Sequence, residues 1–346
     1  MLTEKQIIEI REHLEKAQNP VFFFDNDVDG LCSFLLLRRA VGRGRGVVIK
    51  SSPDLNSSYI GKIDEFNPDY VFVLDKHLIA KDFLEELAKR NIPVVWIDHH
   101  DVDVSWINDG VYYYNPIKSG SNEPTTYLCY KVAGRKEDDW LALLGCISDG
   151  FIPDFFEEVR EKNEDLLKKC RTAFECVYDS EFGRMIRLLS FGLKDRTTNV
   201  VKMLKFLIEA RFPRDILEEN DKTYSFHSRF KYIEKKYKNL IEKAEDNAGK
   251  KLLYFQYGGE LSISAEIANE LAYKHPDKIV VVAYISGARA NISIRGRDVR
   301  KLTLKAIEGL EGATGGGHKD ATGAKVLVED LPKFKEKIEE LAGEKV

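Results

Sequence analysis

Between residues 21 and 30 the chain reads VFFFDNDVDG: four apolar residues, then Asp25, Asp27 and Asp29 at alternate positions, closed by Gly30. Alternate side chains of an extended segment project to the same side, so three carboxylates would crowd and repel one another unless a cation neutralises them. D-x-D-x-D-G also opens an EF-hand calcium loop. Here, however, Leu36 stands where that loop needs its twelfth-position Glu, and an apolar strand rather than a helix comes first. A solvated acidic turn is the bland alternative. The four apolar residues in front speak against it, because they read as a buried strand.

Three further elements carry acids or imidazoles: LDKH at 74–77, IDHHD at 97–101 and GCISDG at 145–150. Oxygen ligands joined by one or two imidazoles suit Mn²⁺ or Mg²⁺ better than a thiolate zinc site. Several carboxylates per site make two ions reasonable. Two divalent ions about 3.5–4 Å apart are the usual arrangement for hydrolysing a phosphoester, since together they stabilise its crowded negative transition state. His77 has a competing reading as a surface histidine beside Lys76.

The elements that must position these residues alternate over the first 150 positions. A helix is expected near 3–17, then strand VFFF, a helix through LCSFLLLRRAV, strands VVIK and YVFVL, a helix near 80–90 and strand VVWI. That rhythm predicts a mostly parallel sheet covered by helices, with ligands at the carboxyl ends of its strands. Asp25 follows VFFF, Asp75 follows YVFVL and Asp98 follows VVWI, so three strands deliver acid to one rim. From 154 to 248 the pattern is largely helical, ending in a long charged helix that stops at Gly249. From 251 strands return in KLLYFQY, KIVVVAYI, ARANISIR and AKVLVE, with a helix in SISAEIANELAYKH and a closing helix in DLPKFKEKIEELAG. The expected fold is therefore two α/β domains with a cleft between them: a larger one at 1–190, a helical connector at 191–250 and a smaller one at 251–346.

The 346 residues, 43% hydrophobic and 32% charged, are those of a well-folded water-soluble chain. No stretch approaches a membrane span, and the N-terminal helix lacks a signal-peptide cleavage site, so a cytoplasmic location is expected. Five cysteines without paired spacing predict reduced packing residues rather than disulfides or a zinc knuckle. A net charge of −4 argues against a wholly basic nucleic-acid coat but leaves room for a local groove.

Asp98-His99-His100, with D-x-D-x-D-G upstream and G-x-x-x-D downstream, resembles the DHH phosphoesterase superfamily. GATGGGHKDATG at 312–323 resembles the G-G-G-H motif of the DHH-associated domain, so the likeness spans both ends of the chain in the family's order. Within the superfamily the chain resembles the archaeal RecJ-like nucleases, most of all the Hef-associated group. The resemblance implies Asp27 on one metal, Asp29 on the other, Asp75 bridging them, and His99 and Asp149 completing the second site. It also implies that His100 faces substrate phosphate or completes the metal sphere, and that Asp98 orients an imidazole. Many relatives carry a metal-binding His four residues before the position of Asp27. Phe23 stands there in this chain, so Asp25 or His77 is expected to compensate.

In the smaller domain, Gly315, Gly316 and Gly317 offer backbone N–H groups for an anion nest, with His318 as a phosphate donor; a plain glycine turn is the competing reading. Arg289 and Arg295 lie six apart on one strand and share a face with Asn291 and Ser293, a row that could track phosphates. A salt-bridged exposed edge explains Arg289, Arg297 and Arg300 equally well. RRAVGRGRG at 38–46 reads either as a solvated helix end or as a groove.

The expected activity is a Mn²⁺- or Mg²⁺-dependent exonuclease on single-stranded DNA or RNA, 3′→5′ by resemblance, with a Hef-type helicase/nuclease as partner and a homo-oligomer as a further possibility. The alternatives are a small-substrate phosphoesterase acting on dinucleotides or pAp, and a metal-free replication scaffold. The crowded carboxylates speak against the scaffold.

Overall fold

The structure is a computed structural model; it describes all residues except 52, 108–109, 247–248 and 344–346, with the side chain of residue 118 also left out. Contacts divide the chain into two compact units, Met1–Phe230 and Lys231–Val346. The helix Tyr224–Glu245 carries the chain from one to the other, and residues 247–248 of the segment that follows lie outside the described residues.

The first unit is built on a five-stranded sheet whose three central strands are buried on both faces. Its strands are β1 (Pro20–Asp25), β2 (Arg45–Ile49), β3 (Tyr70–Leu74), β4 (Val94–Ile97) and β5 (Val111–Tyr114), in the order β2-β1-β3-β4-β5. All four pairings are parallel. A parallel sheet requires helical crossovers on both sides, which is why β1 reads as an unbroken apolar run. Phe22 and Phe24 face the helix Val28–Val41, where Phe34 meets them at ring-centroid distances of 5.7 and 5.0 Å. Phe23 points to the other face and sits edge-on to Tyr59 and Phe83. Each such ring, taken fully from water, contributes roughly 1.5–3 kcal/mol.

The second unit holds a mixed sheet of β6 (Leu252–Gly258), β7 (Ile279–Ser286), β8 (Arg289–Arg295), β9 (Thr314–Gly317) and β10 (Ala321–Leu327), in the order β6-β7-β8-β10-β9. Only β6 and β7 run parallel; the other three pairings are antiparallel. Ala290, Ile292 and Ile294 of β8 join Val299, Ala306, Phe334 and Ile338 from the helices Val299–Ile307 and Leu331–Ala342 in one core.

The expected pair of α/β domains, the first built on a parallel sheet, is the one observed, and the second sheet is mixed. Two local readings differ from it. The glycine run at 314–317 is an extended edge strand paired to β10 rather than a turn, with Gly316 opposite Gly323. The alternation read through Asp25, Asp27 and Asp29 stops at Asp25. Asp27 caps the helix Val28–Val41 through its Oδ1, which accepts the Gly30 N–H at 2.9 Å, and Asp29 lies in that helix's first turn. A capping aspartate ends the strand because it satisfies an otherwise orphan helical N–H.

Candidate metal centre

Strand register decides where the acids meet. Phe24 pairs with Leu74 and Leu74 with Ile97, so Asp25, Asp75 and Asp98 are the next residues on three adjacent parallel strands. The Asp75 N–H donates to the Ile97 carbonyl at 3.0 Å and the Asp98 N–H to the Tyr114 carbonyl at 3.1 Å, which fixes both at that level. Asp75 has φ 58°, a left-handed conformation. Asp tolerates this region better than most residues, and strain of this kind clusters at functional sites.

Helices supply the rest. Gly30 closes the entry turn: a Cβ there would lie 2.7 Å from the Asp25 carbonyl oxygen, so only glycine lets the helix start this close to the strand end. Asp29 is buried and held by two amides at the start of the helix Thr125–Ala133. Its Oδ1 accepts the Thr126 N–H at 2.7 Å and its Oδ2 the Thr125 N–H at 3.0 Å. Thr125 Oγ1 donates to Asp75 Oδ1 at 3.1 Å, tying both carboxylates to one helix end. Asp149 ends the helix Asp139–Ser148, which packs close because residue 145 is glycine. A Cβ there would meet Thr126 Oγ1 at 2.1 Å.

His99 lies at the middle. Its Nε2 is 3.5 Å from Asp75 Oδ1, 3.7 Å from Asp149 Oδ2 and 3.9 Å from Asp29 Oδ2. Two three-residue groups have ligand atoms all within 4.8 Å of one another: Asp75, His99 and His100, and Asp29, His99 and Asp149. They share His99. His100 Nδ1 is 2.8 Å from Asp98 Oδ1, and the His100 N–H donates to Asp98 Oδ2 at 3.3 Å, so the fully buried Asp98 orients the second imidazole.

The electrostatics call for cations. Burial, then repulsion from Asp25 and Asp29, raises Asp27 to about 7. Burial followed by the charges of Asp29 and Asp27 pushes Asp75 and Asp149 well above the usual carboxylate range. Burial alone would lower His100, but the hydrogen bond and charge of Asp98, with Asp149 and Asp27, bring it up to about 9. Crowded acids whose ionisation is this unfavourable, beside imidazoles, fit one or two hard divalent ions.

Asp25 has a partner of another kind. Its Oδ1 is 2.9 Å from the ammonium of Lys76. His77 is half-buried against His100, ring centroids 5.5 Å apart, and burial, His100 and Lys76 lower its basicity. Phe23 belongs wholly to the core. Thr125 and Thr126 were not singled out in the sequence; the signal was Pro124 ahead of a helical run. Lys76 was legible only as a neighbour of Asp75.

In the second unit Gly315, Gly316, Gly317 and His318 lie at the outer edge of the sheet, on the exposed side of β9. Such an edge presents backbone N–H groups that no further strand takes up. Arg295 is half-buried: its Nε donates to Asn269 Oδ1 and its Nη1 to the carbonyls of Ile294 at 2.9 Å and Thr322 at 3.1 Å. Ser293, on the same face, is covered by Ser264 of the helix Ser264–Lys274, 3.0 Å between hydroxyls. The row read along β8 therefore lies largely under that helix, and Arg289 remains exposed. The described cysteines are free, four of them buried, and no helix among the described residues is long and apolar enough to cross a membrane.

Comparisons with known proteins agree with this geometry. Residues 21–147 match the DHH family, N-terminal domain, and residues 249–344 the DHHA1 domain. No curated protein sequence matches the chain. Among solved structures, the fold is similar to RecJ in complex with Mn²⁺ from Thermus thermophilus. The TM-score is 0.71 at 16% identity over 100% of this chain, which spans 56% of that protein's length. It is also similar to an exopolyphosphatase-related protein from Bacteroides fragilis, with TM-score 0.54, 14% identity and 99% of both chains covered. A third likeness is to PggH, a pGpG-specific phosphodiesterase from Vibrio cholrae, with TM-score 0.50 at 12% identity over 94% of this chain and 99% of that one. The chain thus carries a DHH family N-terminal domain at residues 21–147 followed by a DHHA1 domain at residues 249–344, the two together covering more than half its length.

Proposed function

We propose that the chain is a divalent-metal-dependent exonuclease that removes nucleoside monophosphates from the 3′ end of single-stranded DNA or RNA. The observation that carries this reading is the pair of overlapping ligand groups sharing His99 on the carboxyl rim of the parallel sheet. Asp29, Asp75, His99 and Asp149 would hold Mn²⁺ or Mg²⁺, two ions when full, with Asp27, which lies in neither of those groups, joining them on the resemblance alone. Bound there, the ions supply Lewis-acid stabilisation of the phosphoryl transition state and a water acidic enough to attack at neutral pH. His100, oriented by Asp98, faces the same centre and can either complete the metal sphere or donate to a phosphate oxygen. The exposed β9 edge with His318 is suited to holding a terminal phosphate through backbone N–H groups.

The ordered DxDxDG, DHH, GxxxD and GGGH motifs support placement among the archaeal RecJ-like nucleases of the Hef-associated group. On that placement a Hef-type helicase/nuclease partner, a cytoplasmic location and a role in repair or replication-fork processing follow. The RecJ named above supports the nuclease reading, whereas PggH favours a second one: a phosphodiesterase confined to dinucleotides, pAp or other small substrates. A single-stranded oligomer labelled at either end, a dinucleotide, pAp and polyphosphate, each with Mn²⁺ and at controlled salt, separate the two. Stepwise loss of 3′ nucleotides is expected. Turnover of the small substrates alone would transfer the assignment to the second reading.

A further inference from the structure

Asp25 and Lys76 form an arrangement that the metal-binding reading does not use. Lys76 is only 3% exposed. Its Nζ lies 2.9 Å from Asp25 Oδ1 and 3.2 Å from the Ser51 carbonyl oxygen, while its own carbonyl accepts the Trp96 indole N–H at 2.7 Å. The residue is thus held both at its ammonium and at its backbone carbonyl. Asp75 and Lys76 lie just past the end of β3 and are both buried, with the left-handed backbone of Asp75 standing between the strand and the lysine. An ammonium so far from water persists only when paired and hydrogen-bonded. Asp25, 27% exposed, is its carboxylate partner, and among the described residues Asp25 belongs to neither ligand group around His99.

We propose that Lys76 is a positioning residue that acts as a built-in counter-ion for Asp25, keeps that carboxylate out of the metal-binding set, and limits how strongly the acidic cluster attracts divalent cations. The inference rests on reading the cluster as a metal centre. A fixed positive charge within a few ångströms of a cation site lowers its affinity, and removing that charge while leaving Asp25 ionised raises it. Lys76 sets the balance between a centre that holds its ions and one that exchanges them, and its bond to the Ser51 carbonyl fastens the loop after β2 to the same point.

The test is calorimetric titration of Mn²⁺ into the intact protein, with thermal melts in EDTA alongside. Asp25→Asn should bind Mn²⁺ with the parent's stoichiometry but more weakly, because the Lys76 ammonium is then uncompensated, whereas the double variant Lys76→Met/Asp25→Asn, which removes both charges, should bind within about twofold of the parent's affinity. Lys76→Met should bind Mn²⁺ at least about tenfold more tightly, or take up an additional equivalent, because a released carboxylate joins the cluster. In EDTA, Lys76→Met should melt below the parent, and the double variant Lys76→Met/Asp25→Asn should recover part of that loss. Loss of an equivalent in Asp25→Asn, or tenfold weakening that persists in the double variant, would make Asp25 a ligand and overturn the proposal. So would weaker Mn²⁺ binding in Lys76→Met, the signature of a lysine with a structural role only. Should Lys76→Met fail to fold, Asp25→Asn and the double variant decide the matter alone. A parent that binds no Mn²⁺ would overturn the metal reading and this inference together, an outcome distinct from a parent that binds normally while the double variant does not.

Discussion

Asp27, Asp75 and Asp149 all hold their protons more tightly in the folded protein than in the unfolded chain, where a carboxyl titrates near 4. The metal-free folded state therefore binds more protons than the unfolded one from about pH 4 up to the raised values, about 7 for Asp27, and loses stability across that window as pH rises. His100 acts in the same sense: its contribution is complete below about 6.5 and is lost as pH rises through about 9. In EDTA the melting temperature should fall between pH 5 and pH 9, and Mn²⁺ should recover more of it at pH 8 than at pH 5. A flat profile without metal would contradict the electrostatic account. Asp98→Asn should let burial dominate and bring His100 below 6.5, a change that an NMR titration of the metal-free variant would read directly. Asp75→Asn is the sharper test of the centre, since Asn tolerates the left-handed backbone that Ala would strain. It should fold, and lose more than about a hundredfold in turnover at saturating Mn²⁺, because even outer partners of a metal ligand are worth about 10–100-fold.

At the scale of elements, the centre is three strand ends and three helix ends held at short range. The helices Thr125–Ala133 and Asp139–Ser148 approach so closely at Gly145 that a methyl group there would overlap Thr126 Oγ1. Gly145→Ala should destabilise the fold by about 1–3 kcal/mol through overpacking. It should also weaken Mn²⁺ binding, since the displaced pair carries both the Thr126 amide on Asp29 and the chain into Asp149. Lower melting temperature with unchanged metal affinity would show that the helix contact is separable from the site. Phe23→His makes the reverse point. With the ring buried between Tyr59 and Phe83, a histidine there should cost about 2–4 kcal/mol without tightening Mn²⁺ binding, as thermal melts and calorimetry would register.

For the whole molecule, the two units divide the work on the proposed reading: the first binds metal and the second grips phosphate. His318→Ala should then raise KM for a single-stranded oligomer, with a steeper salt dependence, and leave Mn²⁺ titration unchanged. Loss of metal binding in that variant would refute the division. Arg295→Ala is expected to behave differently from a simple phosphate contact. Two of its nitrogens already serve Asn269 and strand carbonyls, so stability should fall along with substrate grip.

The primary sequence was enough to determine that apolar strands end in aspartates, that DHH follows the third of these runs, and that a glycine run with histidine stands in a later α/β segment. Periodicity and residue type are local properties, and they survive without knowledge of neighbours. Only the tertiary structure decided which strands adjoin and in what register, and so placed Asp25, Asp75 and Asp98 side by side with β2 at the edge. It also decided that Asp27 and Asp29 turn into a helix, and that β8's Arg295 row is largely covered by a helix. The buried Lys76 meets Asp25 for the same kind of reason. Each of these outcomes depends on contacts between residues distant in the chain, where packing and charge compensation among many groups, rather than any one residue's preference, set the free energy.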